Sequence, residues 1–420
     1  MKNLINQKGI TLIALVVTIV ILLILAGVSL NAVLSQNGLI HNAKEAKEQT
    51  KSAVISETGI IDNTTDWISE TVNNTSLPQT DETKPYMPSN EFSKVVGTNL
   101  ANGLTIQDST GNQYVWVEVP MTEEVYPTAK LKITKFNEDV YTQIENDLQS
   151  YTSTYKNNSA YKDKYYDDTN NTLDWFNGAT EYNKAKQKML KSIYQNGGFW
   201  VARYEAGIEK NRYKSGDVTV SPLSKPNLYP YTYVTRTQAQ KLSEMVEYGA
   251  NENKHSGSLM FGIQWDLILK FIENKKIETD SSIITKLTSD SIDIGNYSNS
   301  TFKISRGKYI TVLNWVFNSN WTLFNIPTLN YVDSNSYKLF SDNGNGILLT
   351  TGASDQNNTM NIYDIAGNVR EWTLESFSDS LPCVNRGGGF SNTSSFSTSY
   401  RNGRSVSNND ESIGFRICLY

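Results

Sequence analysis

NIYDIAGNVREWT at residues 361–373, VNRGGGFSN at 384–392 and SIGFRICLY at 412–420 follow one another at the end of the chain, and their reading decides the fold. In the first, Asp364 and Glu371 flank Gly367, Asn368 and Val369, a short run that suits a sharp turn. Two carboxylates and the backbone carbonyls of such a turn could converge on a hard cation such as Ca2+. The competing reading is that Asp364 and Glu371 satisfy backbone donors and arginines such as Arg386 or Arg416. Asn368 and Trp372 read as framework residues of the turn and the core.

Upstream, GNQYVWVEVP (111–120) alternates Tyr114, Trp116 and Glu118 with Val115, Val117 and Val119 after a Gly-Asn turn, the period of a strand. GGFWVARYEAG (197–207) reads as a second strand whose glycines permit close backbone approach. In VTRTQAQKLSEMVEYG (234–249), Thr235 and Gln238 form a capping box, Ala239, Leu242 and Val246 share one face, and Gly249 is placed to end the helix. FGIQWDLILKFIENKK (261–276) gives a further helix with Trp265, Ile268, Leu269 and Ile272 on its apolar face.

Taken in this order, the segments resemble the formylglycine-generating enzyme or sulfatase-modifying family over roughly residues 109–420, the most specific parts being DIAGNVREW and the closing GFR. The resemblance implies an α+β fold, a variant of the C-type lectin fold. It also implies calcium ligands at the side chains of Asp364 and Glu371 and the carbonyls of Gly367 and Val369. Family members that generate formylglycine hold copper(I) with two cysteines just after the RGG strand. Asn392 and Ser397 stand at those positions here, and neither is a soft ligand, so no copper is expected.

Composition points the same way. The 420 residues contain two histidines, His41 and His255, and two cysteines, Cys383 and Cys418. A zinc cluster, a histidine-bound iron or a Ser-His-Asp triad would consume a scarce residue type entirely. With 38 basic against 43 acidic residues there is no basic footprint for nucleic acid. Cys383 precedes the RGG strand and Cys418 lies in the terminal strand. They either form one disulfide closing a loop of about 34 residues, for roughly 3–4 kcal/mol, or remain buried thiols.

At the other end, Ile10–Leu30 is uncharged and about 21 residues long, enough to cross a bilayer once. Lys2 and Lys8 before it keep the N-terminus cytoplasmic and send the remainder outward, so the protein is expected at the cell membrane, single-pass, with its C-terminal domain extracellular. QKGITLIALVV (7–17) resembles the leader of type IV pilins, in which a prepilin peptidase cuts after a glycine, here Gly9, and the new terminus, here Ile10, is methylated. Pilins usually carry a glutamate at the fifth residue after the cut, where this chain has Ala14, so anchoring is better supported than entry into a filament. An uncut signal anchor is the plainer alternative. The expected organisation is a leader over 1–9, a transmembrane and amphipathic helix over 10–55, a polar linker over 56–108, and the lectin-like domain over 109–420 with a Tyr- and Asn-rich surface insertion at 121–195, which holds a helical stretch NKAKQKMLKSIYQ (183–195).

Residues 391–410, SNTSSFSTSYRNGRSVSNND, use a narrow alphabet, each member of which has a codon ending in a pyrimidine. Such a strip before GFR resembles the targets of diversity-generating retroelements, and chance is the competing account. Short hydroxyl and amide side chains around a few aromatic and arginine anchors suit adaptable recognition. The candidate ligand-binding residues are Asn392, Ser395, Phe396, Ser397, Ser399, Tyr400, Asn402, Arg404, Asn408 and Asn409. The expected function is non-catalytic binding of an external protein or glycan. The rivals are a sulfatase-modifying-type enzyme with an unrecognised active site and a structural pilus or pseudopilus subunit.

Overall fold

The computed structural model describes residues 83–156, 163–166, 176, 178–216, 218–250, 254–313, 316–317, 320–324 and 346–420. All of these lie in the unit Trp67–Tyr420, one of two into which the chain divides. The leader at Gly9 and Ile10 and the span at 10–30 lie outside the described residues. Among the described residues no helix is long and apolar enough to cross a membrane.

The unit is a mixed α/β structure built on a seven-stranded sheet. Its strands, in spatial order, are Ser93–Lys94, Thr105–Gln107, Gln113–Glu118, Gly198–Ala202, Ile417–Leu419, His255–Leu259 and Glu247–Tyr248. The two strands expected at 111–120 and 197–207 pair antiparallel, with Trp116 opposite Trp200, and bury nearly every side chain on both faces. Burial on both faces is why valine and tryptophan alternate here rather than apolar and charged residues.

A four-stranded sheet carries the C-terminal motifs in the order Asn402–Arg404, Cys383–Arg386, Arg370–Thr373, Ile413–Phe415. Its last pair is parallel, and the chain then runs through Arg416 into the centre of the large sheet, between Gly198–Ala202 and His255–Leu259. The closing GFRIC therefore ties the two sheets together within a few residues.

Five helices pack around these sheets among the described residues: α1 (Glu138–Tyr151), α2 (Ala179–Asn196), α3 (Arg236–Glu244), α4 (Gly262–Lys276) and α5 (Ile283–Thr288). The capping box of α3 is formed, with Thr235 Oγ1 accepting from Gln238 N and Gln238 Oε1 accepting from Thr235 N. In α4, Trp265, Ile268, Leu269 and Ile272 are buried as expected, and so are the remaining residues of its first two turns.

Four expectations are corrected here. Helix α3 stops at Glu244, well before Gly249, because Glu247–Tyr248 is taken as an edge strand against His255–Ser256. The sheet begins upstream of residue 109: Phe92, Leu104 and Ile106 are buried, so the linker does not reach 108. The described part of 121–195 is no surface insertion, since Ile144, Leu148, Tyr155, Tyr182, Leu190 and Ile193 belong to the main core. Several of its tyrosines are apolar bodies whose polar tips find partners, as Tyr155 Oη does on Glu273 Oε2 at 2.6 Å and Tyr182 Oη on the Leu374 carbonyl at 3.0 Å. Finally, Cys383 and Cys418 are both buried and not joined, one on each sheet. Cys418 Sγ is instead directed at Leu259 O and Gln264 Oε1, at 3.6 and 3.5 Å.

Candidate functional site

The strip between the Cys383–Arg386 strand and Ile413 splits into side chains that face inward and side chains that do not. Asn392, Ser397 and Ser399 are buried, against expectation. Asn392 Oδ1 accepts from Arg370 Nε at 3.0 Å, and Ser397 Oγ donates to the Thr288 carbonyl at 2.9 Å. The backbone of Ser399 donates to Leu287 O at 3.0 Å. These bonds tie the strip to the Arg370–Thr373 strand and to the end of α5, and satisfy the buried amide of Asn392 and hydroxyl of Ser397. They are framework rather than contact residues.

The remaining candidates reach the surface. Ser395 and Tyr400 are exposed, and Phe396, Asn402, Arg404, Asn408 and Asn409 are half-buried. Phe396 and Tyr400 pack edge to face at 4.8 Å between ring centroids. Asn408 Oδ1 accepts from both the backbone and the hydroxyl of Ser405 at 3.0 Å, which closes a tight turn. The Nε of Arg404 is shielded from water and has no hydrogen-bond partner among the described residues. Gly388, at φ 68°, lets the backbone pass where a Cβ would collide with the Phe396 carbonyl. An L side chain there would push Phe396 out of place.

What holds this surface is a closed ring of buried charge that the sequence reading missed. Arg386 donates to Asp266 Oδ1 at 2.7 Å and to Glu375 Oε2 at 3.0 Å. Arg401 donates to Glu375 Oε1 at 2.6 Å and also pairs with Asp266. All four side chains are essentially inaccessible to water. Burial opposes ionising either acid. At Glu375 the guanidiniums of Arg386 and Arg401 outweigh it and hold the carboxyl down at about 2. At Asp266 burial and the neighbouring Glu375 charge leave the pKa raised. Arg401 thus sits as an inward peg between Tyr400 and Asn402. One signal was legible: Asp266 is a lone acid inside the apolar run IQWDLILKF, and a buried acid requires a partner.

The turn at 364–369 holds a second buried cluster. Asp364 and Asn368 have positive φ, 57° and 55°, around Gly367 at 73°. Glu205, from the GGFWVARYEAG segment, enters the turn and accepts from Asn368 Nδ2 at 2.7 Å and Val369 N at 3.0 Å. Both oxygens of Glu371 accept from Arg416, at 2.6–3.1 Å. Asp364 Oδ2 accepts from Gly352 N at 2.8 Å. Of the expected calcium ligands Asp364, Gly367, Val369 and Glu371, the two carboxylates are engaged by protein donors. Glu371 is held by the guanidinium of Arg416, and among the described residues no group of three or more acids, histidines or cysteines could hold a metal. Burial raises the pKa of Asp364 to about 6. Burial, reinforced by Asp364 and Glu371, pushes Glu205 well above its ordinary value. With one guanidinium among three carboxylates, burial raises the pKa of each.

Residues 321–419 match the sulfatase-modifying factor enzyme 1-like domain. Among solved structures the chain is similar to Treponema denticola variable protein 1, at 10% identity and a TM-score of 0.27, over 53% of this chain and 84% of that one. No curated protein matches.

Proposed function

We propose that this protein is a membrane-anchored, surface-displayed binding protein, without catalytic activity of its own, whose strip engages an external protein or glycan. The observation that carries the reading is the arrangement around Arg401: a buried ring of charge fixes the backbone, while Phe396 and Tyr400 form an aromatic pair at the surface beside it. Rigid aromatic anchors flanked by adaptable amides and hydroxyls lower the entropic cost of binding. Arg404, half-buried in the strip, adds a guanidinium.

The absence of catalysis is inferred from Asn392 and Ser397, which stand where the copper cysteines of the formylglycine-generating relatives would be and are occupied in structural hydrogen bonds. The display reading rests on the apolar stretch Ile10–Leu30 and its lysine flank, and the diversification reading on the alphabet of 391–410.

The test applies labelled full-length protein in detergent to a glycan array and to whole cells. Wild type is expected to be retained and the triple variant Phe396→Ala, Tyr400→Ala, Arg404→Ala to be lost from the same targets. Equal retention of both proteins would remove the strip from the binding site. Oxygen uptake with a cysteine-containing peptide would return the protein to the enzymes.

A further inference from the structure

Helix α2, helix α3, the His255–Leu259 strand and Tyr420 line an open cavity of about 420 Å3 that shares no residue with the strip. Cavities of this order accept small organic molecules. Phe176, Ala185 and Tyr420 give it an apolar wall, and the strand contributes Ser256 and Ser258, which alternate with Gly257 and so face the same side.

The charges on the wall are unevenly matched. Lys184 and Glu181 cancel through a 2.7 Å ion pair. Lys188 and Glu244 both line the cavity, yet they are not paired with each other or with any other charged side chain among the described residues. Lys188 lies instead over the Tyr420 ring, 5.8 Å from its centroid. Glu244 is held in position by Gln240, whose Nε2 donates to Glu244 Oε1 at 2.9 Å. Gln240 is itself buried and anchored, its Oε1 accepting from Leu259 N at 3.0 Å. That leaves three groups with unused bonding capacity facing one space: the Lys188 ammonium, the second oxygen of Glu244 and the Ser256 hydroxyl.

One exposed cation and one exposed anion, neither in an ion pair among the described residues, on a wall that is partly apolar complement a molecule that carries both charges and an apolar body. We infer that this cavity binds a free α-amino acid with an apolar or aromatic side chain, its carboxylate on Lys188 and its ammonium on Glu244. The side chain lies against Phe176 and Tyr420, and Ser256 supplies a hydrogen bond to the carboxylate. Partial desolvation, with Lys254 nearby, already disfavours the charged form of Lys188, so an incoming carboxylate relieves an existing electrostatic cost.

Isothermal titration of the full-length protein with L-phenylalanine, L-leucine and L-valine tests the assignment. Saturable binding is expected for at least one of them. Phenethylamine, which lacks the carboxylate, and 3-phenylpropionate, which lacks the ammonium, should each bind about tenfold or more weaker than phenylalanine. Lys188→Met should weaken the amino acid by a similar factor, and Lys184→Met should leave it unchanged. The analogue comparison uses wild type alone, so it stands even if a variant fails to fold. The inference is overturned if none of the three amino acids binds, if either single-charge analogue binds as tightly as its parent, or if a folded Lys188→Met protein binds as wild type does.

Discussion

Arg401 donates from Nε to Glu375 Oε1 at 2.6 Å, joining residues 26 positions apart in a place almost closed to water. The residue before it, Tyr400, is exposed. One position of sequence therefore separates a structural peg from a surface anchor, and the two should respond differently to mutation.

Arg401→Met leaves Asp266 and Glu375 with one guanidinium between them. Removing one partner of a buried ion pair costs about 3–5 kcal/mol. Chemical denaturation of the variant should show a loss of that order, and a loss near zero would mean that the ring is not closed in solution.

Tyr400→Ala touches no buried network. Its effect on stability should stay within about 0.5 kcal/mol, as for surface sites in general, while retention on glycans or cells falls. A stability loss as large as that of Arg401→Met would return Tyr400 to the core.

Two buried acids predict opposite limbs of the pH profile. Asp364 has a folded pKa of about 6, above its ordinary 3.8, so the folded state holds the extra proton between those values. Its contribution is complete below about pH 4 and is lost as pH rises through about 6. Glu375, depressed to about 2 from 4.5, contributes fully above pH 4.5 and loses that contribution as pH falls toward 2. Asp364→Asn should flatten the fall between pH 4 and 6 and leave the acid limb intact. Melting curves across pH 2–8 check both.

Because Arg416 clasps Glu371, calcium should not stabilise the turn. The melting temperature is expected to be the same in Ca2+ and in EDTA. A rise with calcium would require Arg416 to swing away and would restore the family's metal site.

Both cysteines should titrate as thiols. In denaturant without reductant, two groups per chain should react with a maleimide, and in the native protein almost none, because Cys383 and Cys418 are buried. No reaction after unfolding would bring back the disulfide.

How far the sequence could be read varies with how local the cause is. The Thr235–Gln238 capping box depends on four consecutive positions, and the 113–118 strand on its own alternation, so both were legible. The end of α3 was not, because Glu247–Tyr248 forms a strand only where His255–Ser256 lies beside it. Residues 121–195 misled through composition. Tyrosine and asparagine look solvated until a core closes over them, and Tyr182, at zero exposure, is packed against Phe261.

For the site, the sequence by itself determined the order of motifs, the lack of copper ligands at Asn392 and Ser397, and the polar alphabet of the strip. It did not separate Ser395 from Ser397, or Tyr400 from Arg401, because side-chain direction in a loop has no fixed period. Only the tertiary structure decided that Glu371 belongs to Arg416 and Arg401 to Glu375 and Asp266. Each is a long-range pairing of charges that becomes obligatory once water is excluded, and no local pattern encodes which partner will be there.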